Sequence, residues 1–359
     1  MIRLCEAVLP GHPDKFCDRI ADAIVIEAAR LDPDAYAQVE VGVWSDQLWI
    51  SGGVWTRRPF SKPLSDIVHE VGLAVGYGPD NWIDPARYQI TSTLCLQVGD
   101  PRRWSEHVND QSIVIGWAGY DERVAWLPPE QFLAHRLKEA LFAACRSGCL
   151  KGHGPDGKLL VRLREDAEGW AVEHLLVTLQ QRRDTPFESF AEQVVEELNA
   201  AYAQLKADDP RWCHPFGEIG LSINPNGPLV EGGSDGDNGQ TGRKLVADFY
   251  GPRAPIGGGA LAGKHMSHID RIGAYATRQA AIEAVVSGAI ECKVQLAYQP
   301  NSHEPLDVTY EMVGRGCRQE FRHFSHDALR ERFPARLISG DVASGCQFAD
   351  LNLPWNRPG

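Results

Sequence analysis

The chain has 359 residues, of which 43% are hydrophobic and 23% charged, as in ordinary globular proteins of two or three packed units. Its formal net charge of -12 disfavours a general nucleic-acid or anionic-membrane surface, so a polyanionic ligand would have to bind a local cluster of cations. The sequence contains no run of about 18 apolar residues, which predicts that no segment spans a membrane.

The hydrophobic pattern alternates paired strands with amphipathic helices. Helical spacing of apolar residues predicts helices at residues 14–31, 62–76, 131–147 (ended by Gly148), 186–205 and 267–287. The predicted strands are Ala37–Thr56, folded around the turn Ser45-Asp46-Gln47, and then Tyr88–Gln97, Leu159–Arg164, Trp170–Leu179, Glu218–Ile223, Cys292–Tyr298 and Pro305–Val313. Because a strand-pair-plus-helix unit recurs three times, we expect an α+β protein of three related subdomains with mixed sheets.

The subdomains are expected to be interleaved. The N-terminal one covers residues 1–110 with parts of the C-terminal region, the central one 111–225 and the C-terminal one 226–359. Val98–Asn109 is polar and predicts a loop. Asn224–Lys264 contains eleven glycines and four prolines around a strand-like Leu245–Tyr250. Because charged residues are spread among these glycines, we interpret the segment as a ligand-binding loop system rather than a linker.

The cysteines predict a reducing compartment. The chain has nine of them, an odd number, without paired metal-ligand spacing. Cys145 and Cys149 lie on or just beyond a predicted helix, where we expect reduced thiols. The first residues also lack the apolar segment of a secretory signal. The sequence therefore predicts a cytoplasmic protein.

Gly257–Lys264 nearly matches the P-loop of nucleoside triphosphatases. The next residue is His265, where that loop needs Ser or Thr to hold magnesium, and residues 251–255 are not a buried strand. We therefore reject a P-loop. The glycines nevertheless allow backbone N–H groups to approach an anion closely, and Lys264 places a cation beside them.

The N-terminal motif has both a structural and a functional explanation. His12, Asp14 and Lys15 surround a proline that suits the first turn of the helix at residues 14–31. Asp14 is therefore either a ligand-binding carboxylate or a helix cap. His12 is either a site residue or an ordinary loop histidine.

The same ambiguity applies to the glycine-rich region. Asp270 is either a ligand-binding residue or the partner of Ser267 in a capping box. Residues 232–244 mix acidic side chains with Arg243 and Lys244, and are either a binding loop or a solvated, flexible loop. Each motif is weak when it is considered alone.

Together the motifs resemble the S-adenosylmethionine synthetases along almost the whole chain. The matching segments, of which the first and last are highly specific, are Glu6–Lys15, the strand around Glu40, residues 109–111, residues 134–137, residues 155–158, Asn224–Lys244 and Gly257–Arg278. The resemblance implies three related α+β subdomains and an active site between two subunits of a homodimer or tetramer. It also implies attack by a thioether sulfur on C5′ of ATP, release of triphosphate, and hydrolysis of that triphosphate to diphosphate and phosphate.

The resemblance assigns roles residue by residue. The positions that match catalytic, triphosphate-binding residues are His12, Arg243, Lys244 and Lys264, with His12 near the leaving oxygen. The remaining ATP-binding positions are Asp156, Lys158, Asp237 and Ala260. The implied metal ligands are Asp14 and Asp270 for Mg²⁺ and Glu40 for K⁺. ATP and a methionine-like thioether are the expected partners, with no nucleic acid and no membrane.

The acceptor side departs from the family. The acceptor-binding positions are Asp237, His268 and Val54, but the family has a glutamate at Val54, which meets the substrate's amino group, and a lysine at His268. The family's gating loop has no clear counterpart in Val98–Asn109, although Gln97 is a candidate for its glutamine. Leu229 replaces an aromatic residue beside the adenine. The expected function is adenosyl transfer from ATP to methionine or a methionine-like thioether, and these departures lead us to hypothesise an acceptor other than ordinary methionine. The alternative functions are ATP hydrolysis to adenosine and triphosphate, and a catalytically silent nucleotide-binding partner.

Overall fold

The structure is a computed structural model that describes residues 1–78, 83–314, 323–338, 342–345 and 347–359. Its α-helices are α1 (Pro13–Leu31), α2 (Leu64–Val75), α3 (Arg102–Ser105), α4 (Pro129–Ser147), α5 (Phe187–Asp208), α6 (Leu245–Asp248), α7 (Ile269–Val286) and α8 (His326–Arg332). Its strands are β1 (Ile2–Val8), β2 (Tyr36–Trp44), β3 (Gln47–Thr56), β4 (Gln89–Ser92), β5 (Cys95–Val98), β6 (Ser112–Gly119), β7 (His153–Asp166), β8 (Gly169–Gln181), β9 (Gly220–Ile223), β10 (Gly239–Gln240), β11 (Glu291–Tyr298) and β12 (Asp307–Val313).

Within the described residues the strands form three sheets. The strand orders are β1-β7-β8-β9 in the first sheet, β10-β2-β3-β4 with β5 also on β3 in the second, and β12-β11-β6 in the third. Helix α4 packs against the first sheet and α5 packs on α4, α1 and α2 belong to the second sheet, and α7 packs against the third. The α+β class and the three sheet-and-helix units predicted from the sequence are confirmed.

The sheets interleave the chain. Strand β1 from the N-terminus pairs antiparallel with β7 of the central region, and β6 pairs antiparallel with β11 near the C-terminus. Neither β1 nor β6 was predicted from the pattern. This pairing supports interleaved subdomains, whereas the boundaries at residues 110 and 225 stay a prediction.

Helix α1 shows why the predicted amphipathic pattern folds as it does. Phe16, Ile20, Ile24 and Ala28 are fully buried, and they lie on one helical stripe against the second sheet. In β2 the buried residues alternate with half-buried or exposed ones, so one face of this sheet packs on α1 and the other remains largely open. The second and third sheets share one hydrophobic core, while the first sheet has its own.

Most predicted elements are confirmed within a few residues, and four are corrected. The loop predicted at Val98–Asn109 contains the helical turn α3. Tyr88–Gln97 is two strands, β4 and β5, which both lie parallel to β3. Only Gly220–Ile223 of the predicted Glu218–Ile223 is a strand. Leu245–Tyr250 is not a strand, because its first residues close the helical turn α6, in which the Asp248 N–H donates to the Lys244 carbonyl at 2.9 Å.

None of the described helices is both long and apolar enough to cross a membrane. The cysteines in the described ranges are free thiols, including Cys145, which is buried, and Cys149, which is exposed. Neither of these two cysteines is paired in a disulfide, and their reduced state stays a prediction.

Candidate active site

One edge of strand β2 holds both glycine-rich loops. Strand β10 pairs with β2, and just beyond it the Thr241 N–H donates to the Val41 carbonyl at 3.0 Å. Further along the same edge, the Val39 N–H donates to the Gly263 carbonyl at 2.8 Å. The loop that follows β10 and the loop that precedes α7 therefore lie side by side.

Glycine is required at two of these contacts. A Cβ at Gly239 would collide with the Pro13 backbone, and a Cβ at Gly263 would collide with the Val39 carbonyl oxygen. Gly263 also has a φ of 81°, in the left-handed region that favours glycine. The glycines thus let the loops approach α1 and β2 closely, as a binding loop requires.

His12 precedes the first turn of α1. Its Nδ1 accepts the Asp14 N–H at 3.2 Å, while Nε2 is buried and has no hydrogen-bond partner among the described residues. Burial, and then the charge of Lys244, lowers the pKa of His12 to about 3. The ring is therefore neutral at physiological pH, and because Nδ1 accepts a hydrogen bond and so carries no proton, Nε2 carries the ring's own N–H.

Asp14 connects the start of α1 to the first glycine-rich loop. Its carboxylate accepts the Gln240 N–H at 2.9 Å, pairs with Lys244, and lies 3.5 Å from Nη1 of Arg243. The sequence-predicted residues His12, Asp14, Arg243 and Lys244 are therefore brought together. The buried carboxylate is thus held by two cations and a peptide N–H.

Helix α7 begins in the same way. The Asp270 N–H donates to Nδ1 of His268 at 3.2 Å, and the Asp270 carboxylate pairs with Lys264 and accepts the Ser112 hydroxyl at 2.5 Å. A Cβ at Gly259 would collide with that carboxylate, so the glycine-rich loop lies directly on it. This second cluster contains Lys264, Asp270 and His268 of the predicted site.

The N-caps of both helices differ from the sequence-based alternatives. Asp14 is not the cap of α1, because His12 caps it. Likewise Ser267 does not cap α7 in a capping box, because His268 does, and the Ser267 hydroxyl donates to the Ser105 carbonyl at 3.1 Å instead. Both aspartates are therefore free to present their carboxylates to the loops.

Asp156 and Lys158 join the first cluster from strand β7. The Asp156 carboxylate accepts the Gly233 N–H at 2.8 Å, and its second oxygen is buried without a partner in the described ranges. Burial raises the pKa of Asp156 to about 6. Lys158 and the exposed Asp237 are close enough to influence this carboxyl, and Lys158 also acts on His12.

Ala260 and Glu40 lie where the two clusters meet. Ala260 sits beside Gly242, because a Cβ at Gly242 would lie 2.9 Å from the Ala260 Cβ. Glu40 lies on the open face of β2, between the two residues that bind the loops. Packing raises the pKa of Glu40, while the nearby Lys264 acts in the opposite direction.

Comparison with known proteins agrees with this arrangement. Residues 1–98 match the family described as S-adenosylmethionine synthetase, N-terminal domain, and residues 231–338 match its C-terminal domain. S-adenosylmethionine synthase 1 of Rhodospirillum rubrum is 34% identical over 98% of this chain and 90% of that protein. S-adenosylmethionine synthases of Rhodospirillum centenum (33%, over 91% of this chain and 84% of that protein) and Pelagibacter ubique (30%, over 98% and 88%) are similar as well.

The chain belongs to the S-adenosylmethionine synthetase family. The predicted family and the predicted enzyme class, a methionine adenosyltransferase-like transferase, are confirmed by these matches. The glycine-rich segment lies almost entirely within the matched C-terminal domain, and the His12 motif lies within the matched N-terminal domain. Both clusters therefore contain residues of the matched family domains.

The three predicted acceptor residues differ in their surroundings. Val54 is only 1% exposed and faces the hydrophobic core from β3. His268 is 0% exposed at the start of α7, and burial lowers its pKa well below the usual range of a histidine. Asp237 is exposed beside Asp156. Neither of the first two carries a charge at neutral pH.

The carboxylates suit a metal that arrives with its substrate. Among the described residues, no three His, Cys, Asp or Glu side chains converge into a ready-made metal cage. Asp14 and Asp270 instead offer one carboxylate each, beside Lys244 and Lys264. Mg²⁺ is typically bound by one or two carboxylates together with substrate phosphates, so these residues fit that ion.

Sequence reasoning missed two further aspartates on α1. Asp14, Asp18 and Asp22, which we call the aspartate ladder, are four residues apart and therefore lie on one face of the helix. Asp18 accepts the Gly242 N–H and Asp22 accepts the Gly263 N–H, each at 2.8 Å. The i, i+4, i+8 spacing of acids on a helix that is otherwise apolar on this side was the available signal.

Proposed function

We propose that the protein transfers the 5′-adenosyl group of ATP to a thioether acceptor. The observation that carries this proposal is the neutral, buried Nε2–H of His12 beside Lys244, with Lys158 nearby. A fixed N–H donor among cations suits a leaving oxygen that gains negative charge. The family of the chain supports the same reaction.

The bond changes balance without a proton transfer. A lone pair of the acceptor sulfur forms the C5′–S bond, and the C5′–O bond breaks with its electron pair leaving on triphosphate. The products are a sulfonium and a triphosphate. Water then cleaves the triphosphate to diphosphate and phosphate. The neutral state of His12 suits the first step, because stabilising the leaving oxygen needs a hydrogen bond and not an acid.

The cations of both loops serve the triphosphate. Lys244 and Arg243 form ion pairs with Asp14, and Lys264 forms an ion pair with Asp270, so each cation is neutralised by a carboxylate in the ligand-free protein. With a Mg²⁺–polyphosphate complex, Asp14 and Asp270 would hold the metal, and Arg243, Lys244 and Lys264 would pair with the phosphates instead of the carboxylates. The metal held there would supply further positive charge to the leaving group. We also propose that Glu40 binds K⁺, because the family resemblance gives this position a K⁺ ligand and the exposed Glu40 carboxylate lies near Lys264.

The nucleoside is proposed to lie between Asp156 and Ala260. The free oxygen of Asp156 is buried and lacks a partner in the described part of the chain, as expected of a group that accepts a ribose hydroxyl. Lys158 and Asp237 flank it. Ala260 packs beside Gly242, which places a small apolar surface next to the Lys244 loop.

The acceptor is proposed to differ from ordinary methionine. Val54 lies in the core and offers no carboxylate to an ammonium group, and losing such a pair typically costs about 2–5 kcal/mol when the partner stays buried. His268 is a buried imidazole whose Nδ1 is occupied by the Asp270 N–H. It can therefore offer only an uncharged Nε2–H to an acceptor oxygen, while Asp237 is proposed as the residue that both substrates share.

A mass-spectrometric assay tests the transfer. The protein is incubated with ATP, Mg²⁺ and a series of thioethers that includes methionine, N-acetylmethionine, methionine amide and 3-(methylthio)propanol. We expect a sulfonium product and one equivalent of diphosphate and of phosphate. Adenosine and triphosphate from ATP alone would instead show a hydrolase, and unchanged ATP with every acceptor would show a silent partner.

Isothermal titration with methionine and an ATP analogue tests the acceptor, because tight, saturable binding of methionine would contradict an altered acceptor site.

The open face of the second sheet is the proposed subunit contact. Trp44 and Trp49 are 51% and 47% exposed there, on the face opposite to α1. Exposed tryptophans on a flat sheet are typical of a protein–protein contact. We propose a homodimer or tetramer that shares its active sites across this face, tested by light scattering of the wild type and of Trp49→Glu.

The free thiols of the described cysteines support a cytoplasmic location, which a fluorescent fusion would test.

A further inference from the structure

The aspartate ladder touches both catalytic loops by their backbones. Asp18 accepts the Gly242 N–H at 2.8 Å, directly before Arg243 and Lys244. Asp22 accepts the Gly263 N–H at 2.8 Å, directly before Lys264. Because Asp18 and Asp22 are one turn apart on a rigid helix, they fix the distance between the two loops.

Each of these aspartates is held by a buried cation of its own. Nζ of Lys15 lies 2.8 Å from Asp18 and 2.5 Å from Asp248 of α6, so the first loop is held on both sides of Lys244. Both members of the pair Lys15–Asp18 are almost completely buried. A buried ion pair of this geometry keeps its position because any displacement leaves an unpaired charge out of water.

We call each buried pair of an aspartate and its cation a clamp: Lys15 with Asp18 is the first, and Arg271 with Asp22 is the second. The second clamp holds the backbone on both sides of Lys264. The Arg271 guanidinium donates to Asp22 through Nη1 at 2.9 Å and Nη2 at 2.6 Å, and Nη1 also donates to the Lys264 carbonyl at 2.6 Å. The peptide N–H of Gly263, just before Lys264, thus donates to Asp22, and the Lys264 carbonyl accepts from Arg271, the partner of Asp22. Both side chains of this pair are fully buried.

We propose that Asp18 and Asp22 are positioning residues, each of which aims one catalytic cation loop at the polyphosphate. Asp18 with Lys15 positions Arg243 and Lys244, and Asp22 with Arg271 positions Lys264. Neither aspartate contacts the substrate. The inference deepens the proposed function and rests on it for the identity of the ligand.

A crossed double-mutant cycle tests the assignment. The full-length protein is titrated with inorganic triphosphate and Mg²⁺, which requires no acceptor. Asp22→Asn is combined in turn with Lys264→Met and Lys244→Met, and Asp18→Asn is combined with the same two. We expect each aspartate variant to weaken binding about 10-fold, with strong non-additivity only in the matched pairs Asp22 with Lys264 and Asp18 with Lys244. A purely structural role would give equal coupling in matched and crossed pairs, and that result would overturn the proposal.

Two further measurements decide the question if an asparagine variant fails to fold. Arg271→Lys keeps a cation against Asp22 but cannot also hold the Lys264 carbonyl, so we expect it to fold and to show coupling with Lys264→Met only. Hydrogen exchange of the unmutated, ligand-free protein needs no variant. We expect slow exchange at Gly242 and Gly263, and exchange at the rate of an unstructured peptide would overturn the proposal. If triphosphate does not bind the wild type, the proposed function fails while the exchange experiment still tests the clamps.

Discussion

His12 and His268 begin two different helices with the same contact. In each, Nδ1 accepts the N–H of the aspartate two residues later at 3.2 Å, and Nε2 is buried without a partner among the described residues. Each of these aspartates pairs with a lysine of a glycine-rich loop. The two helix starts therefore present equivalent sets of a neutral N–H donor, a carboxylate and a cation, although they come from opposite ends of the sequence.

Replacing His12 by asparagine separates its two roles. Asparagine is a good N-cap, so we expect the Tm to stay close to that of the wild type. The Nε2–H donor is lost, and adenosyl transfer should fall about 100- to 1,000-fold, as when one donor to a developing anion is removed. Single-turnover kinetics with a saturating acceptor would measure this loss.

His12→Ala is the matched control, because it removes the cap as well and should cost about 1 kcal/mol of stability in addition. Burial lowers the pKa of His12 to about 3, so His12 does not titrate near pH 6.5. The pH profile of the transfer rate should therefore have the same shape near pH 6.5 in the wild type and in His12→Asn. An unchanged rate in His12→Asn would contradict the assigned role.

Gly263→Ala tests the close approach of the second loop to β2. The new Cβ would collide with the Val39 carbonyl oxygen, so the loop must shift and its hydrogen bond from the Val39 N–H should weaken. We expect weaker binding of Mg²⁺-triphosphate because Lys264 moves with the loop, together with a lower Tm.

Gly258→Ala is the control for this change. Gly258 also has a positive φ, 102°, but a Cβ there meets nothing within 4 Å. Both variants share the cost of a left-handed alanine, roughly 1–2 kcal/mol, so their difference isolates the collision. Equal triphosphate affinities would show that the approach to Val39 does not position Lys264.

The sequence predicted the elements that carry a regular hydrophobic period. The stripe from Phe16 to Ala28 defines α1, and α4 ends at Gly148, as the pattern indicated. Strand β6 was missed although most of it is buried, because a strand buried on both faces lacks alternation. Segment Leu245–Tyr250 was assigned wrongly, because only tertiary contacts decide that Asp248 must turn towards Lys15.

The candidate site shows the same division. His12, Asp14, Lys264 and Asp270 were found because the family motif contains them, but their pairing could not be read from spacing. Burial of Val54 was also not predictable from the Gly-Gly-Val segment alone. Gly52 has a φ of 117° in β3, an irregular conformation that simple alternation along the strand does not take into account.

Asp156→Asn should change how stability depends on pH. An exposed aspartate loses its proton near pH 3.8, whereas burial raises the pKa of Asp156 to about 6. Between these values the folded state binds more protons than the unfolded state, so this group lowers the free energy of unfolding as the pH rises from about 4 to about 6. The stability of the wild type relative to the variant should fall by up to about 3 kcal/mol across that window.

Urea unfolding of both ligand-free proteins at pH 4.5, 5.5, 6.5 and 7.5 measures this difference, and other titrating groups cancel in the comparison. Curves that run parallel across the whole range would show that Asp156 ionises normally in the fold. The asparagine can still accept the Gly233 N–H, so a large loss of stability at pH 4.5 is not expected.

Val54→Glu places a carboxylate where the family has one. The structure predicts that Val54→Glu does not restore the family's acceptor contact, because the side chain at this position faces the core beside the buried Ala37 of β2. Burying an unpaired carboxylate should cost several kcal/mol, whereas Val54→Thr, which has the same shape and no charge, should cost about 1–3 kcal/mol. Thermal unfolding compares the stabilities of the two variants.

If Val54→Glu were instead as stable as the wild type and bound methionine more tightly, position 54 would have to face the acceptor in the assembled enzyme. The core placement would then be wrong, and the loss of this carboxylate alone would explain the change in acceptor.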